Sequence, residues 1–562
     1  MALALGIAGP IGCGGGERRA DAGTMTDAPV DAGSGDAGRP DWPEARPPTT
    51  TRPELGIVRE LVRVPGTRPP PNPATGAETP PELDATQVVR YRQDVEPPAA
   101  AHAIVIAYPG FLGGAGSFDA LARALVRRGA ASGVPLEVWA IDRRSYALED
   151  LRGLDAAEVA GDPEIAHGYH FRGHTVGGVA FGGFRGASSL SFMSEWGLRT
   201  HVEDLRAVLA LVPASERRGR IFLLGHSLGA AFAEAYAGWR FEDGTRGAEE
   251  LAGLVLVDGS LREAPIDEET YRRGSSSGPF PMPGLDAIRA RSPFTELPLL
   301  GVAVLARAEI LCLRVRAAPR AVQEDPGRDD VLALLLGLRR SELPRLTNAA
   351  ALGLGFDDAS SALAFAAVSL GAPTGGPLEE ADGLLGGRIR RPSDPEATYD
   401  WIDAPEADPP ELTPMAHLVA SFVDGRTNFA EWYFPSRLAL DLGAVAGPDQ
   451  PEDGWQAREG LRSFDREHND APVLAVAAGL VPVEAYRSLP TRLAPRIGED
   501  RPAAGASRDE SRALRVLDAT HMTHVDPLTA ADGPRNPVPS ALLEFVLAHA
   551  APGGTRIETP RP

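Results

Sequence analysis

The sequence predicts an α/β protein built around a doubly wound, mostly parallel sheet. Continuously apolar runs at residues 103–108 and 254–257 are typical of parallel strands that are covered on both faces. Helical patterns alternate with these runs; at residues 117–128, for example, apolar side chains fall on one face. A strand, a sharp turn and a helix follow one another without a gap at residues 220–236. Strands that alternate with helices in this way predict helices on both faces of the sheet.

The stretch at residues 220–236 carries the clearest chemical signal. Ser227 stands at the tip of the turn, between Gly225 and Gly229 in the pattern Gly-x-Ser-x-Gly. A serine on so tight a turn has a strained backbone, and a Cβ two residues to either side would collide with the strand or the helix. The N-terminus of the following helix favours negative charge near the serine.

The remaining strands can be placed in chain order. Alternating apolar and charged residues at 56–64 predict an exposed first strand, and the same pattern at 87–95 predicts a second one. Further apolar strands are expected at residues 136–142, 471–479 and 514–518. Asp258 ends the strand at 254–257, so we expect its side chain at the edge of the sheet near Ser227.

Four segments mark the ends of successive predicted strands: Tyr-Pro-Gly-Phe-Leu-Gly-Gly, Val-Trp-Ala-Ile-Asp-Arg-Arg, Gly-His-Ser-Leu-Gly and Leu-Val-Leu-Val-Asp-Gly. In order and spacing they resemble the α/β-hydrolase family. The resemblance implies a hydrolase core at residues 54–262 that resumes at 466–552. Between them, residues 263–465 would form a large, mainly helical lid over an apolar chamber. Helical stretches of this insertion are expected at residues 299–313, 331–338, 359–370 and 429–442.

The family resemblance implies a catalytic triad in the chain order serine, acid, histidine. Ser227 is the nucleophile. His524 is the favoured base because it lies in His-Val-Asp after the last strand, and His521 is the alternative. Asp258 is the favoured acid, with Glu484 as the alternative.

The resemblance also implies an oxyanion hole formed by the backbone N–H groups of Phe111 and Leu228. No cofactor is implied. His521, His524 and Asp526 could be considered as metal ligands, but they lack the spacing His-x-His-x-Asp-His of binuclear hydrolases, so no metal is predicted.

Composition limits the possible partners. The net charge of −21 argues against nucleic acid, because a phosphate backbone requires a basic surface. All 56 residues of the lysine and arginine class are arginine, which excludes a lysine nucleophile or base. Two cysteines cannot form a disulfide framework, and Cys312 lies in an apolar setting typical of a packed thiol.

The N-terminus resembles a bacterial lipoprotein signal. Residues 1–13 are small and apolar and end at Cys13, the expected lipidation site, although Pro10 stands where such signals usually have leucine. Residues 14–53 would form a disordered tether rich in glycine and proline, and residues 553–562 a tail. We therefore expect an exported protein of the cell envelope or the extracellular space, attached to a membrane only through Cys13.

The sequence thus predicts a serine hydrolase that cleaves carboxylic esters with an apolar part, from small molecules or lipids. A peptidase, amidase or thioesterase with the same triad is one alternative. A non-catalytic surface protein that uses the fold as a binding scaffold is the other. The sequence does not predict an oligomeric state.

Overall fold

The structure is a computed structural model of the 562-residue chain. It describes residues 40–275, 282–296, 301–323, 330–363, 365–383, 387–404, 406, 411–466, 469–487, 489, 514–551, 554–555 and 557. Cys13 and the rest of the predicted signal lie outside the described residues. Among the described helices, none is both long and apolar enough to cross a lipid bilayer.

A nine-stranded sheet forms the centre of the fold. Its strands in chain order are β1 Thr50–Glu54, β2 Ile57–Pro65, β3 Ala85–Gln93, β4 Ala103–Tyr108, β5 Leu136–Asp142, β6 Ile221–His226, β7 Gly253–Val257, β8 Val473–Ala477 and β9 Leu514–Asp518. They lie in the order β1-β2-β3-β5-β4-β6-β7-β8-β9. From β5 to β9 all neighbouring pairs are parallel, whereas β1, β2 and β3 add antiparallel pairs at one edge.

Both faces of this sheet are buried, as the continuous apolar strands predict. In β4, Ile104 and Ile106 belong to one buried cluster with Phe232, whereas Val105 belongs to a second cluster with Leu125. Neighbouring residues of a strand point to opposite faces, so each face has its own layer of helices. The first face is covered by helices Leu198–Leu209 and Leu228–Ala237, and the second by Asp119–Ala131 and Val538–His549. The remaining helices before β7 are Arg152–Ala160, Pro163–Phe171 and Ala214–Arg220.

The chain joins the fold earlier than the sequence predicted. Residues 14–53 were predicted as a tether, but Asp41–Trp42 pairs with Thr175–Val176, and β1 pairs with β2. The Trp42 and His174 rings lie 5.0 Å apart between centroids, and this contact packs the segment against the rest of the fold. The prediction of an exposed first strand was also wrong, because β2 lies between β1 and β3.

The insertion between β7 and β8 is mainly helical and also carries short strands. Its helices are Glu268–Arg273, Leu285–Ala290, Ala303–Ala317, Asp330–Leu335, Asn348–Phe356, Met415–Val423, Ser436–Ala444 and Trp455–Arg458. Its strands are Gly274–Ser275, Met282–Pro283, Phe294–Thr295, Arg345–Leu346, Ala372–Thr374, Leu378–Asp382, Arg388–Pro392, Thr398–Ile402 and Phe434–Pro435. A third buried cluster of apolar residues joins the insertion to the helices at residues 152–171.

Two of the predicted helical stretches differ in the structure. Of the stretch predicted at 359–370, the described residues 359–363 and 365–370 form turns rather than a helix. The carbonyl of Asp357 accepts the N–H groups of Ser360 and Ser361, and Val368 forms a bridge with Asp357. The predicted helix at 429–442 begins only at Ser436, since the preceding residues pair with the loop after β4. Cys312 is buried, and burial raises the pKa of its thiol well above the usual value, as expected for a packed thiol.

Candidate active site

The turn between β6 and the helix Leu228–Ala237 holds Ser227 in a strained conformation. Ser227 has φ 57° and ψ −125°, and its N–H donates to the carbonyl of Val257 at 2.9 Å. A Cβ on Gly225 would lie 2.0 Å from the carbonyl oxygen of Gly229. A Cβ on Gly229 would lie 2.2 Å from the carbonyl oxygen of Tyr108. Both flanking glycines are therefore required by the close approach of backbone to backbone, as the sequence predicted.

Asp258 and His524 meet beside this turn. The Nδ1 atom of His524 lies 2.7 Å from Oδ2 of Asp258, and both side chains are buried. The same carboxylate accepts the N–H groups of Ala478, Leu480 and Val481, at 3.0, 2.9 and 2.8 Å. The end of β7 and the loop after β8 thus fix the carboxylate, which in turn fixes the imidazole. Asp258 itself has φ 46°, a strained value of the kind found at functional sites.

The Asp258 contact determines where the proton of the His524 ring lies. An ionised carboxylate only accepts hydrogen bonds, so Nδ1 of His524 carries the proton and donates it. The Nε2 atom then keeps a free lone pair. Ser227 and His524 line the same chamber.

His226 is a neighbour of His524 and also lines the chamber. Its Nε2 donates to the backbone oxygen of His524 at 2.9 Å, and the two rings lie 4.5 Å apart between centroids. Burial, reinforced by the neighbouring His524, lowers the pKa of His226 to about 3. His226 therefore stays neutral and holds the His524 backbone without placing a second cation beside the ring. Its place in the chamber wall could not be read from the sequence, because it depends on how residues 520–526 fold back.

The two alternative triad members lie elsewhere. His521 is exposed, and its Nε2 lies 3.1 Å from the carbonyl oxygen of Arg535. Glu484 is exposed on a short helix and pairs with Arg487 at 3.3 Å. Among the described residues that line the chamber, neither is present. The geometry therefore brings His524 and Asp258, the favoured base and acid, into contact, with Ser227 and His524 in the wall of one chamber.

The aspartate of His-Val-Asp has a structural contact with the insertion. Asp526 is buried and accepts the N–H and the hydroxyl of Ser369 at 3.0 and 2.6 Å, and the hydroxyl of Thr413 at 2.8 Å. His521, His524 and Asp526 thus have separate sets of partners. Asp526 fixes the position of the His524 loop against the insertion.

The loop after β4 lies directly against Ser227. A Cβ on Gly110 would lie 2.8 Å from Cβ of Ser227 and 3.3 Å from its Oγ. Phe111 follows and lines the chamber. Leu228 is the first residue of its helix, so its N–H is one of the four that lack a partner within the helix. The two backbone N–H groups predicted for the oxyanion hole therefore belong to residues that flank Ser227.

An apolar chamber opens over Ser227 and His524, with a volume of about 150 Å³. The insertion supplies most of its wall through aliphatic and aromatic side chains, including Leu305, Leu311, Leu335, Phe356, Phe365 and Phe422. The expectation from the sequence was a large, mainly helical lid over an apolar chamber. Since apolar walls dominate, the chamber favours an apolar group of a ligand.

A doubly wound, mostly parallel sheet with a strained serine between strand and helix defines the α/β-hydrolase fold, and this chain has that fold. No family model and no curated protein matches the sequence.

Solved structures with a similar fold include a candidate lipase from Sulfolobus solfataricus, at 12% identity over 89% of this chain and 98% of that chain, with a TM-score of 0.41. An esterase from Thermogutta terrifontis is similar at 12% identity over 88% and 100% of the two chains, with a TM-score of 0.32. An epoxide hydrolase from an endophytic Streptomyces is similar at 12% identity over 88% and 96%, with a TM-score of 0.35. The assignment of the fold rests on the strand order and the turn at Ser227 rather than on these values.

Proposed function

We propose that this protein is a serine hydrolase that cleaves carboxylic esters with an apolar part. The observation that carries the proposal is the 2.7 Å contact between His524 and Asp258, with His524 and Ser227 in the wall of one chamber. Serine alone is a weak nucleophile and needs a base that a third group orients. The contact between His524 and Asp258, the shared chamber of His524 and Ser227, and the chain order serine, acid, histidine support this chemistry.

The proposed reaction follows from these positions. Oγ of Ser227 attacks the ester carbonyl while Nε2 of His524 takes its proton and then passes it to the leaving alcohol. Asp258 stabilises the imidazolium that forms. The N–H groups of Phe111 and Leu228 bind the negative oxygen of the tetrahedral intermediate. Water then attacks the acyl-enzyme by the same route and releases the acid.

The chamber supports the choice of substrate. A protein cavity of about 150 Å³ lined by aliphatic and aromatic side chains is large enough for benzene. The chamber over Ser227 has a volume of about 150 Å³ and similar walls. An acyl group of roughly that size, aromatic or of medium chain length, fits this space best.

A fluorophosphonate probe, which reacts with an activated serine, tests the proposal. The wild-type protein is expected to be labelled and to hydrolyse p-nitrophenyl esters, and Ser227→Ala to do neither. Ser421→Ala is the matched control, because Ser421 is also buried but its hydroxyl donates to the carbonyl of Leu418. A wild-type protein that is folded but never labelled would support the non-catalytic scaffold instead. Parallel assays with amide and thioester substrates separate the esterase from the other hydrolases.

A further inference from the structure

A segment of the insertion pairs with the loop that carries Phe111. Residues 428–431, the clamp segment, run alongside residues 112–116, and Gly113 forms an antiparallel bridge with Ala430. The backbone hydrogen bonds are Gly114 N–H to Phe429 O at 2.7 Å, Gly116 N–H to Asn428 O at 3.0 Å, and Glu431 N–H to Leu112 O at 2.8 Å. Part of the insertion is therefore built into the support of the loop beside Ser227.

Arg143 lies beneath the same loop and binds its carbonyl groups. Its guanidinium donates to the backbone oxygens of Pro109, of Gly110 at 2.8 Å and of Gly113 at 3.2 Å. It also donates to the carboxylate of Glu431, in the clamp segment, at 2.5 Å. The Arg143 side chain has no exposed surface, and that of Glu431 is 2% exposed. One planar group thus binds three carbonyls that surround Phe111, and the carboxylate neutralises its charge.

Aromatic rings complete the environment of this guanidinium. It lies 5.0 Å from the ring centroid of Tyr108 and 5.2 Å from that of Phe434. The Phe434 ring in turn packs edge-on against the Phe111 ring, with 4.9 Å between centroids. Arg143 therefore supports Phe111 in two ways. It forms hydrogen bonds with the backbone around Phe111, and it contacts the Phe434 ring, which packs against the Phe111 ring.

The ion pair has a clear energetic role. A buried arginine without its carboxylate is strongly unfavourable, because the remaining charge has no water to solvate it. If Glu431 lost its charge, the guanidinium would have to move or attract water, and the carbonyls of the loop would move with it. A backbone donor of an oxyanion hole acts only when it is held close to the position of the developing charge.

We infer that Arg143 is a positioning residue, which together with Glu431 holds the Phe111 N–H in place beside Ser227. The inference rests on the proposed function, since it assigns a support to the oxyanion hole of that reaction. It also explains why part of the insertion contributes to the site: the clamp segment supplies the counter-charge through Glu431, 288 positions after Arg143. Arg143 and Glu431 act through the loop, and neither is assigned a contact with substrate.

Glu431→Gln tests the inference because it removes the charge and keeps the size of the side chain. Loss of one oxyanion donor costs about 10²–10³-fold in kcat in a serine hydrolase, and we expect a loss of about 10-fold or more from a loosened loop, with KM little changed. The rate of fluorophosphonate labelling should fall in parallel. Arg143→Lys keeps the positive charge but lacks the planar fork, so it should lose kcat as well.

Asp204→Asn is the matched control. Asp204 forms a buried ion pair at 2.6 Å with Arg144, the residue that follows Arg143 in the chain. Arg144 donates to the carbonyl of Thr67 rather than to the loop. This variant should keep kcat, even if it lowers the melting temperature as much as Glu431→Gln does. Equal losses of kcat in both variants, or no loss in Glu431→Gln, would overturn the inference.

Hydrogen exchange separates failure of this inference from failure of the proposed function. The amides of Gly114 and Gly116 should exchange faster in folded Glu431→Gln than in wild type, and unchanged exchange at residues 110–117 would contradict the clamp. This measurement needs no catalytic activity. If the wild-type protein proved inactive toward every ester, the proposed function would fail, and the exchange experiment would still decide whether Arg143 and Glu431 hold the loop.

Discussion

The Nδ1 atom of His524 lies 2.7 Å from the Oδ2 atom of Asp258, which is 266 positions earlier in the chain. Three backbone N–H groups hold the same carboxylate, so the imidazole is oriented by a group that is itself immobilised. This arrangement distinguishes Asp258 from an aspartate that only caps the end of a strand.

Asp258→Asn should lower kcat by about 10³–10⁴-fold, because an amide can present an N–H to Nδ1 and favour the wrong tautomer of His524. Steady-state hydrolysis of a p-nitrophenyl ester measures the effect, and the melting temperature shows whether the fold is retained. Glu484→Gln serves as the control, since Glu484 is exposed and pairs with Arg487. The reverse result, an inactive Glu484→Gln and an active Asp258→Asn, would contradict the assignment.

The sequence predicted the part of the site that local structure determines. A strand, a serine between two glycines and a helix are contiguous at residues 220–236, so the turn at Ser227 needs no distant contact to be recognised. The choice between Asp258 and Glu484 depended on which carboxylate the last loop reaches. That contact is non-local, and the sequence left both open.

Other features could not be predicted because they depend on residues far apart in the chain. Arg143 and Glu431 are 288 positions apart, and nothing in the local pattern around Arg143 indicates that it binds a loop of the site. In the stretch expected as a helix at 359–370, the described residues 359–363 and 365–370 are not helical, although the stretch is apolar. Its apolar residues instead pack over the chamber from turns, so burial rather than helical periodicity accounts for the pattern.

Gly110→Ala should reduce kcat with only a modest change in stability. The added Cβ would lie 2.8 Å from Cβ of Ser227, so the loop must move away from the serine. A displacement of about 1 Å at a reacting group can cost about 10²-fold in rate. Gly186→Ala is the control, because a Cβ at that exposed position meets no atom within 4 Å. Unchanged kcat in Gly110→Ala would show that the loop does not need this close approach.

The buried carboxyl of Asp142 should make the free energy of unfolding depend on pH. Burial raises the pKa of its carboxyl to about 7, against donors at Ala115 N–H and Gln87 Nε2 that lower it. The unfolded chain loses this proton near its ordinary pKa, about 4, while the folded protein retains it to about 7. In that window the unfolded state binds fewer protons, so the free energy of unfolding falls as pH rises, by at most about 1.4 kcal/mol per pH unit.

Asp142→Asn should remove this dependence, because an amide has no proton to lose in this range. Thermal unfolding at pH 5 and pH 8 would measure it. The melting temperature of the variant minus that of the wild type should be larger at pH 8 than at pH 5. Asp286→Asn, at an exposed position, should show no such change. A wild type and an Asp142→Asn variant with parallel pH profiles would mean that the Asp142 carboxyl does not titrate in this window.

Ala308→Phe should shorten the acyl chain that the protein accepts. Ala308 lies in the helix Ala303–Ala317 and lines the chamber, whose volume is about 150 Å³. A phenyl group there would occupy much of the space available for the substrate, and each methylene that loses its apolar contact costs about 0.8 kcal/mol of binding. We expect kcat/KM to fall for hexanoyl and longer p-nitrophenyl esters and to change little for acetate. Ala317→Phe is the control, because Ala317 is exposed at the end of the same helix. An equal loss for all chain lengths would indicate that the acyl group binds outside this chamber, and that the chamber receives the alcohol side of the ester.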